Sequence, residues 1–347
     1  MKKALLMIVA LLCVVAQGTA KEPFTLWNEC EALSALKAFV TNVTDPQSAD
    51  YIREEDRIAT FDMDGTFIAE LCPTYFEYSL LEYRALDDSL YSATAPDDVR
   101  RAAQSIRDFV RGGTPLPEGF DMIHARAAAK AYAGMTLAEF DAYVKRFAAR
   151  AACGFRGMSY GGSFYRPMLE VFDYLKDNGF TCYVVSGSDR FLCRALVEPL
   201  GIQPGRVIGM DVCLSASRQG ADAGVDYTMG REECLLRTDS LIIKNLKTNK
   251  VLQISQEIGK IPVLSFGNSG GDCAMHNYCL SNPRHRSAAF MLVADDDVRD
   301  HADLAEGERR RKQWTDAGYT VISMKNDFKT IYGYGVVKTG FVFPLNE

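Results

Sequence analysis

Apolar positions recur at two different periods along this chain, and the change of period divides it. Residues 28–41 carry Leu33, Leu36 and Val40 at helical spacing, which predicts an amphipathic helix. A polar connector over 41–56 leads into the short apolar run Ile58-Ala59-Thr60-Phe61, which reads as a buried strand. From about Glu70 to Gly157 the spacing is almost wholly helical. Phe76, Leu80, Tyr83 and Leu90 make one stripe, and Val99, Ala103, Ile106 and Val110 make another. Thr136-Leu137-Ala138-Glu139 is a capping box that opens a third helix carrying Phe140, Val144 and Phe147.

After Gly161-Gly162 helices alternate with apolar strands. Arg166-Pro167 opens a helix with Pro in its first turn, and Asn178-Gly179 closes it. A strand at 181–185, a helix at 189–200 and a strand near 206–212 follow. Residues 214–247 read as a polar excursion with a short strand at Leu241-Ile242-Ile243. A helix at 249–258, a strand at 261–266, a helix at 271–280 and strands at 288–293 and 319–323 complete the series. Such alternation predicts an α/β fold, a doubly wound parallel sheet. The helical stretch is most simply an inserted all-helical bundle, so the core is expected at 21–69 and 158–347 and the insertion at 70–157.

Composition adds a compartment and removes some partners. Met1-Lys2-Lys3, an apolar run over 4–16 and Gly18-Thr19-Ala20 make a secretory signal peptide of residues 1–20. It is too short and wrongly flanked for a stable membrane span, and no later stretch is long and apolar enough for one. An uncleaved anchor is the alternative reading. The chain is therefore expected to be exported, periplasmic or secreted. Loss of the leader takes the net charge from −6 to −8, a poor balance for general nucleic-acid binding. Of 10 Cys, one lies in the leader. The remainder form no recognisable disulfide or zinc pattern, and some, such as Cys182 inside an apolar strand, read as small core residues.

Three groups with chemical potential stand where strands end. Ligands of open α/β sheets bind beyond the carboxyl ends of the strands. Asp62 and Asp64 follow the first strand, two residues apart, before a turn at Gly65. One carboxylate of such a pair can be a covalent nucleophile in phosphoryl transfer, and the other can protonate the leaving oxygen and then activate water. Ser186 and Gly187 end a second strand, where a hydroxyl and helix-start N–H groups suit phosphate oxygens. An ordinary helix cap by Ser188 or Asp189 is the competing reading. The loop from Asn268 to Asp272 ends a third strand, and there Asp272 could instead serve only a helix N-terminus.

Asp62-Met63-Asp64-Gly65-Thr66 resembles the first motif of the haloacid dehalogenase superfamily. Val185-Ser186-Gly187-Ser188 and Gly267-Asn268-Ser269-Gly270-Gly271-Asp272 are similar to its second and fourth motifs. Glu70-Leu71-Cys72-Pro73 and Arg166-Pro167-Met168-Leu169-Glu170 are similar to segments of its phosphoserine phosphatase-like group, exported bacterial members included. The resemblance implies that Asp62 is the nucleophile, Asp64 the general acid/base, and that Thr66 supports the turn. Thr66, Glu70, Ser186 and Gly187 fall to the substrate side. It further implies Mg²⁺ held by Asp62, the carbonyl of Asp64, Asn268 and Asp272, with Asn268 replacing the usual Asp. The third-motif Lys is Lys250, with Lys247 and Lys244 as rivals. The helical insertion corresponds to a cap over the site.

The expected function is that of a magnesium-dependent hydrolase of small phosphate monoesters. An exported binding protein with a degenerate site is one alternative, and a phosphorylcholine-type phosphatase is another. Cleavage of a carbon–halogen bond would need neither Asp64 nor a metal. The physiological ester and the oligomeric state are not legible in the sequence.

Overall fold

Four consecutive buried residues form the strand from which the sheet grows on both sides. The computed structural model describes residues 22–343, so the leader read at 1–20 lies outside the described residues. The strands are β1 (Ile58–Phe61), β2 (Phe155–Arg156), β3 (Thr181–Asp189), β4 (Val207–Ala216), β5 (Leu235–Ile243), β6 (Leu264–Gly267), β7 (Ala288–Val293), β8 (Thr320–Ser323) and β9 (Val337–Lys338). Seven of them make one sheet in the order β5-β4-β3-β1-β6-β7-β8, and β2 pairs with β9 apart from it. All neighbours in the large sheet run parallel except β5, which lies antiparallel to β4 at the edge.

Both faces of the sheet are covered, as near-continuous apolar strands require. The helices are α1 (Glu31–Thr44), α2 (Phe76–Glu82), α3 (Asp97–Gly112), α4 (Phe120–Ala131), α5 (Leu137–Ala148) and α6 (Arg166–Asp177). After them come α7 (Arg190–Val197), α8 (Thr248–Glu257), α9 (Cys273–Leu280), α10 (Leu304–Asp316) and α11 (Met324–Asp327). Alternation along β7 shows the two faces. Phe290 and Leu292 join the large core, whereas Ala289, Met291 and Val293 pack with Trp314 of α10. Phe61, Phe266 and Phe290 face one another in register across β1, β6 and β7. Their rings stack at 4.4 and 5.0 Å, and Phe172 of α6 stacks on Phe61 at 3.9 Å. Adjacent aromatic pairs of this kind stabilise by about 0.5–1.5 kcal/mol beyond their burial. They fix the strand end from which Asp62 projects.

Between β1 and α6 the chain forms four helices, α2–α5; the spacing marks α2, α3 and α5, and the alanine-rich α4 is a fourth. The capping box is present: Thr136 Oγ1 accepts from Glu139 N at 3.0 Å, and Glu139 accepts from Thr136 N at 2.8 Å. Leu90 departs from its stripe and is 91% exposed. Helix α2 ends at Glu82, a π-turn over Tyr83–Asp87 follows, and Asp88 is held by Arg84 and Tyr143, which turns the chain outward. The strand expected at 261–266 begins only at Leu264, after Pro262, which has no N–H to give.

The excursion at 214–247 contains a nine-residue strand, β5, rather than short pieces. It also reaches the helical insertion: Arg237 N donates to Met135 O at 2.9 Å and Gly134 N to Arg237 O at 2.8 Å. Helix α10 was not marked by any apolar stripe. The cysteines from Cys30 to Cys279 are all free among the described residues, and Cys182 is buried in β3. No helix of the described residues is long and apolar enough to cross a membrane.

Candidate active site

The turn after β1 is tied before any side chain acts. Asp62 N donates to Phe266 O at 2.9 Å, and the Met63 carbonyl accepts from the N–H groups of Thr66, Phe67 and Ile68. Gly65 sits at φ +77°, a region that disfavours other residues. A Cβ there would lie 2.0 Å from Asn268 Nδ2 and 2.5 Å from the Glu70 carboxyl. Glycine thus lets Asn268 and Glu70 close over the turn. Thr66, fully buried, donates from Oγ1 to Asp62 Oδ2 at 3.3 Å and reaches Asn268 Oδ1 at 3.5 Å.

Asp62 and Asp272 share one lysine. Lys250 Nζ, from the first turn of α8, donates to Asp62 Oδ1 at 2.5 Å and to Asp272 Oδ1 at 2.7 Å. Of the three candidate lysines it alone reaches these carboxylates. Lys244 stands 3.5 Å from Glu77, and Lys247 has φ +53°; both line the cavity. Burial would lower Lys250, but Asp272 and Asp62 outweigh it and hold the ammonium above its ordinary range. Burial, and next Asp272, push Asp62 up, against the pull of Lys250.

Asp272 is not a helix cap in the usual sense, because no side-chain bond to the start of α9 forms. Its second oxygen accepts instead from Asn268 N at 3.1 Å, Ser269 N at 3.0 Å and Ser269 Oγ at 3.2 Å. Oδ2 is thus committed to the loop, whereas Oδ1 accepts only from Lys250 and keeps a lone pair that could take a metal.

Asp64 accepts from Ser188 Oγ at 2.8 Å on Oδ2, while its buried Oδ1 has no partner. Burial raises it to about 7, with Glu77 and Glu70 adding to the rise and the Ser188 bond opposing it. Glu70 is likewise raised to about 7, chiefly by burial. Ser186 is buried and absent from the cavity wall. Its Oγ accepts from Ser188 N at 3.0 Å, so it shapes the strand end, while Gly187 and Ser188 face the cavity. Asp189 caps α7, accepting from Phe191 N and Leu192 N.

One cavity of about 190 Å³ is lined by Asp62, Asp64, Lys250, Asn268 and Asp272 of the core and by Tyr75, Glu77, Tyr78 and Asp121 of the insertion. Sequence reasoning missed Ser188 and Glu77 as site residues. Glu77 is a buried carboxylate on a largely apolar helix, accepting from Asp189 N at 3.0 Å, and its charge at a buried position was the available signal.

Oxygen donors fit magnesium better than a softer metal. No cluster of three or more His, Cys, Asp and Glu at metal-binding spacing occurs among the described residues. A magnesium site would therefore draw on the Asn268 amide and the Asp64 carbonyl beside the carboxylates of Asp62 and Asp272. The turn's hydrogen bonds use the carbonyls of Met63 and Ile68, not that of Asp64. That donor set fits Mg²⁺, with few protein charges.

No curated protein matches the chain. A functionally unknown protein from Anaerococcus prevotii DSM 20548 has a similar structure, with 14% identity, 89% of this chain and 97% of that one covered, and a TM-score of 0.53. A protein of unknown function from Bordetella pertussis Tohama I aligns at 15% identity, covering 77% and 97%, with a TM-score of 0.48. Cytosolic 5'-nucleotidase IIIB bound to cytidine aligns at 12% identity, covering 86% and 85%, with a TM-score of 0.48. The family model for haloacid dehalogenase-like hydrolases matches residues 59–251, more than half of the sequence. The chain belongs to the haloacid dehalogenase-like hydrolase family.

Proposed function

We propose that this hydrolase is a magnesium-dependent phosphomonoesterase working through an aspartyl-phosphate on Asp62. One observation carries the reading: Asp62, its Lys250 partner and the half-paired Asp64 line the same small cavity. Asp62 attacks phosphorus as the bond to the leaving oxygen breaks. Asp64 gives that oxygen a proton, then takes one from the water that cleaves the aspartyl-phosphate. Lys250 offsets charge on the nucleophile and the transferring group, and Asp272 keeps Lys250 in place. Bound by Asp62, Asn268, Asp272 and the Asp64 carbonyl, magnesium would supply further charge stabilisation at the phosphoryl oxygens. The leader at 1–20 supports action outside the cytoplasm.

A second reading narrows the ester to that of a cationic alcohol. The insertion presents Tyr75 and Tyr78, edge to face at 5.2 Å, together with Asp121, while Glu77 is engaged by Lys244. Aromatic faces beside a carboxylate attract a quaternary ammonium such as choline.

The test is phosphate release from an aryl phosphate with and without Mg²⁺, followed by paired esters of cationic and neutral alcohols. Release that depends on Mg²⁺ is expected. Asp62→Asn should lower kcat by about 10³-fold or more, since an amide cannot form the acyl-phosphate. Near-normal turnover by Asp62→Asn would overturn the mechanism. Phosphate binding without any release would favour the binding-protein alternative.

A further inference from the structure

Asp64 must act twice, as acid and as base, from one position. A carboxyl at the end of a short side chain can rotate about its last bond, and nothing in the proposed chemistry itself holds it still. Ser188 supplies the only side-chain hydrogen bond to Asp64 among those described: Oγ donates to Oδ2 at 2.8 Å across 124 residues of sequence. The other oxygen, Oδ1, is buried and has no hydrogen-bond partner, so the Ser188 bond is what orients the carboxyl. Ser188 is itself fixed, because its N–H donates to Ser186 Oγ at 3.0 Å and the residue is buried.

We infer that Ser188 is a positioning residue that holds the Asp64 carboxyl in one orientation for both of its tasks. The hydroxyl donates to Oδ2 when Asp64 is protonated and, more strongly, when it is ionised, so the carboxyl keeps its orientation through both half-reactions. In the first, the proton of Asp64 passes to the leaving oxygen as its bond to phosphorus breaks and the bond from Asp62 forms. In the second, water adds to phosphorus, its proton passes to Asp64, and the Asp62–phosphorus bond breaks. The chain Ser186–Ser188–Asp64 gives the second strand end a role different from direct contact with phosphate through Ser186.

This inference rests on the phosphomonoesterase reading, and the test separates the two. An alkyl phosphate needs a proton on its departing oxygen, whereas a dinitrophenyl phosphate has a stable leaving group and needs little help. The quantity measured is the ratio of kcat/KM for the dinitrophenyl ester to that for the alkyl ester, because kcat/KM reports the step that releases the alcohol. In Ser188→Ala the ratio should rise by about 10–100-fold over the parent, the scale of a misplaced acid. Ser188→Thr, which keeps the hydroxyl, should return the ratio toward the parent value. Ser188→Gly provides a second deletion if the Ala variant is poorly folded. An unchanged ratio in the folded deletion variants, whether both rates fall together or neither falls, overturns the positioning role. A parent enzyme that releases phosphate from neither ester overturns the phosphatase reading instead.

Discussion

At the residue scale, the cost of burying ionisable groups is concentrated around the end of β1. Asp62, Asp64, Glu70 and Asp300 are all pushed above the ordinary carboxylate range, chiefly by burial. Asp300 is the clearest probe of that cost. It is fully buried, accepts from His301 N at 2.8 Å, and is raised to about 7 because burial outweighs this bond and the help of the Tyr332 hydroxyl. A raised folded pKa means that the native state binds more protons than the unfolded state between about pH 4 and 7. Stability is therefore lost as pH rises through that window. Asp300→Asn, which never ionises, should gain stability relative to the parent over the same window, by roughly 4 kcal/mol at most. Urea denaturation at pH 5 and pH 8 checks this, and an equal difference at both would refute the assignment. The sequence exposed part of this cluster. Asp62, Asp64 and the Asn268–Asp272 loop announce themselves at strand ends. Ser188 and Glu77 do not, because their roles depend on partners that the fold alone brings near.

Elements were legible where apolar periodicity was strong and obscure where charge faced inward. Strand β5 looks polar because only one of its nine residues is buried, and that residue is Arg237. Arg237 donates to Asp189 Oδ2 at 2.5 Å and lies 3.9 Å from the Phe140 ring, joining the edge strand, the start of α7 and the insertion. A hydrophobicity pattern cannot register a buried ion pair. Helix α10 fails for a related reason, since Gly307 and Trp314 are its only buried residues among many charges. The buried pair should be costly to break on one side only. Arg237→Met leaves Asp189 without its cation and should destabilise by about 3–5 kcal/mol. Adding Asp189→Asn, which can still accept at the helix cap, should recover part of that loss. A double-mutant cycle in denaturant measures the coupling, and strictly additive effects would show that the pair carries none.

Across the whole molecule, the cavity joins residues from 62 to 272 with a wall from the insertion, so a bound metal should report on global stability. Asn268 is central to this. It approaches Glu70 over Gly65, and its amide favours the charged form of Glu70. Asn268→Asp would place a third carboxylate beside Asp62 and Glu70. Without metal it should lower stability by roughly 1–2 kcal/mol through like-charge repulsion. With metal the added charge should tighten binding. A ligand that binds only the native state adds about 2.7 kcal/mol at a hundredfold excess over Kd, so a tighter site gains more at fixed Mg²⁺. The variant should therefore melt below the parent in chelator and show the larger upward shift with Mg²⁺. Asp272→Asn should behave differently. Its parent carboxylate holds Lys250 and three donors of the loop, so the variant should melt lower with or without Mg²⁺. Thermal melts of the three proteins in chelator and across a Mg²⁺ series decide the matter. Identical Mg²⁺ shifts in the parent and Asn268→Asp would remove Asn268 from the metal site.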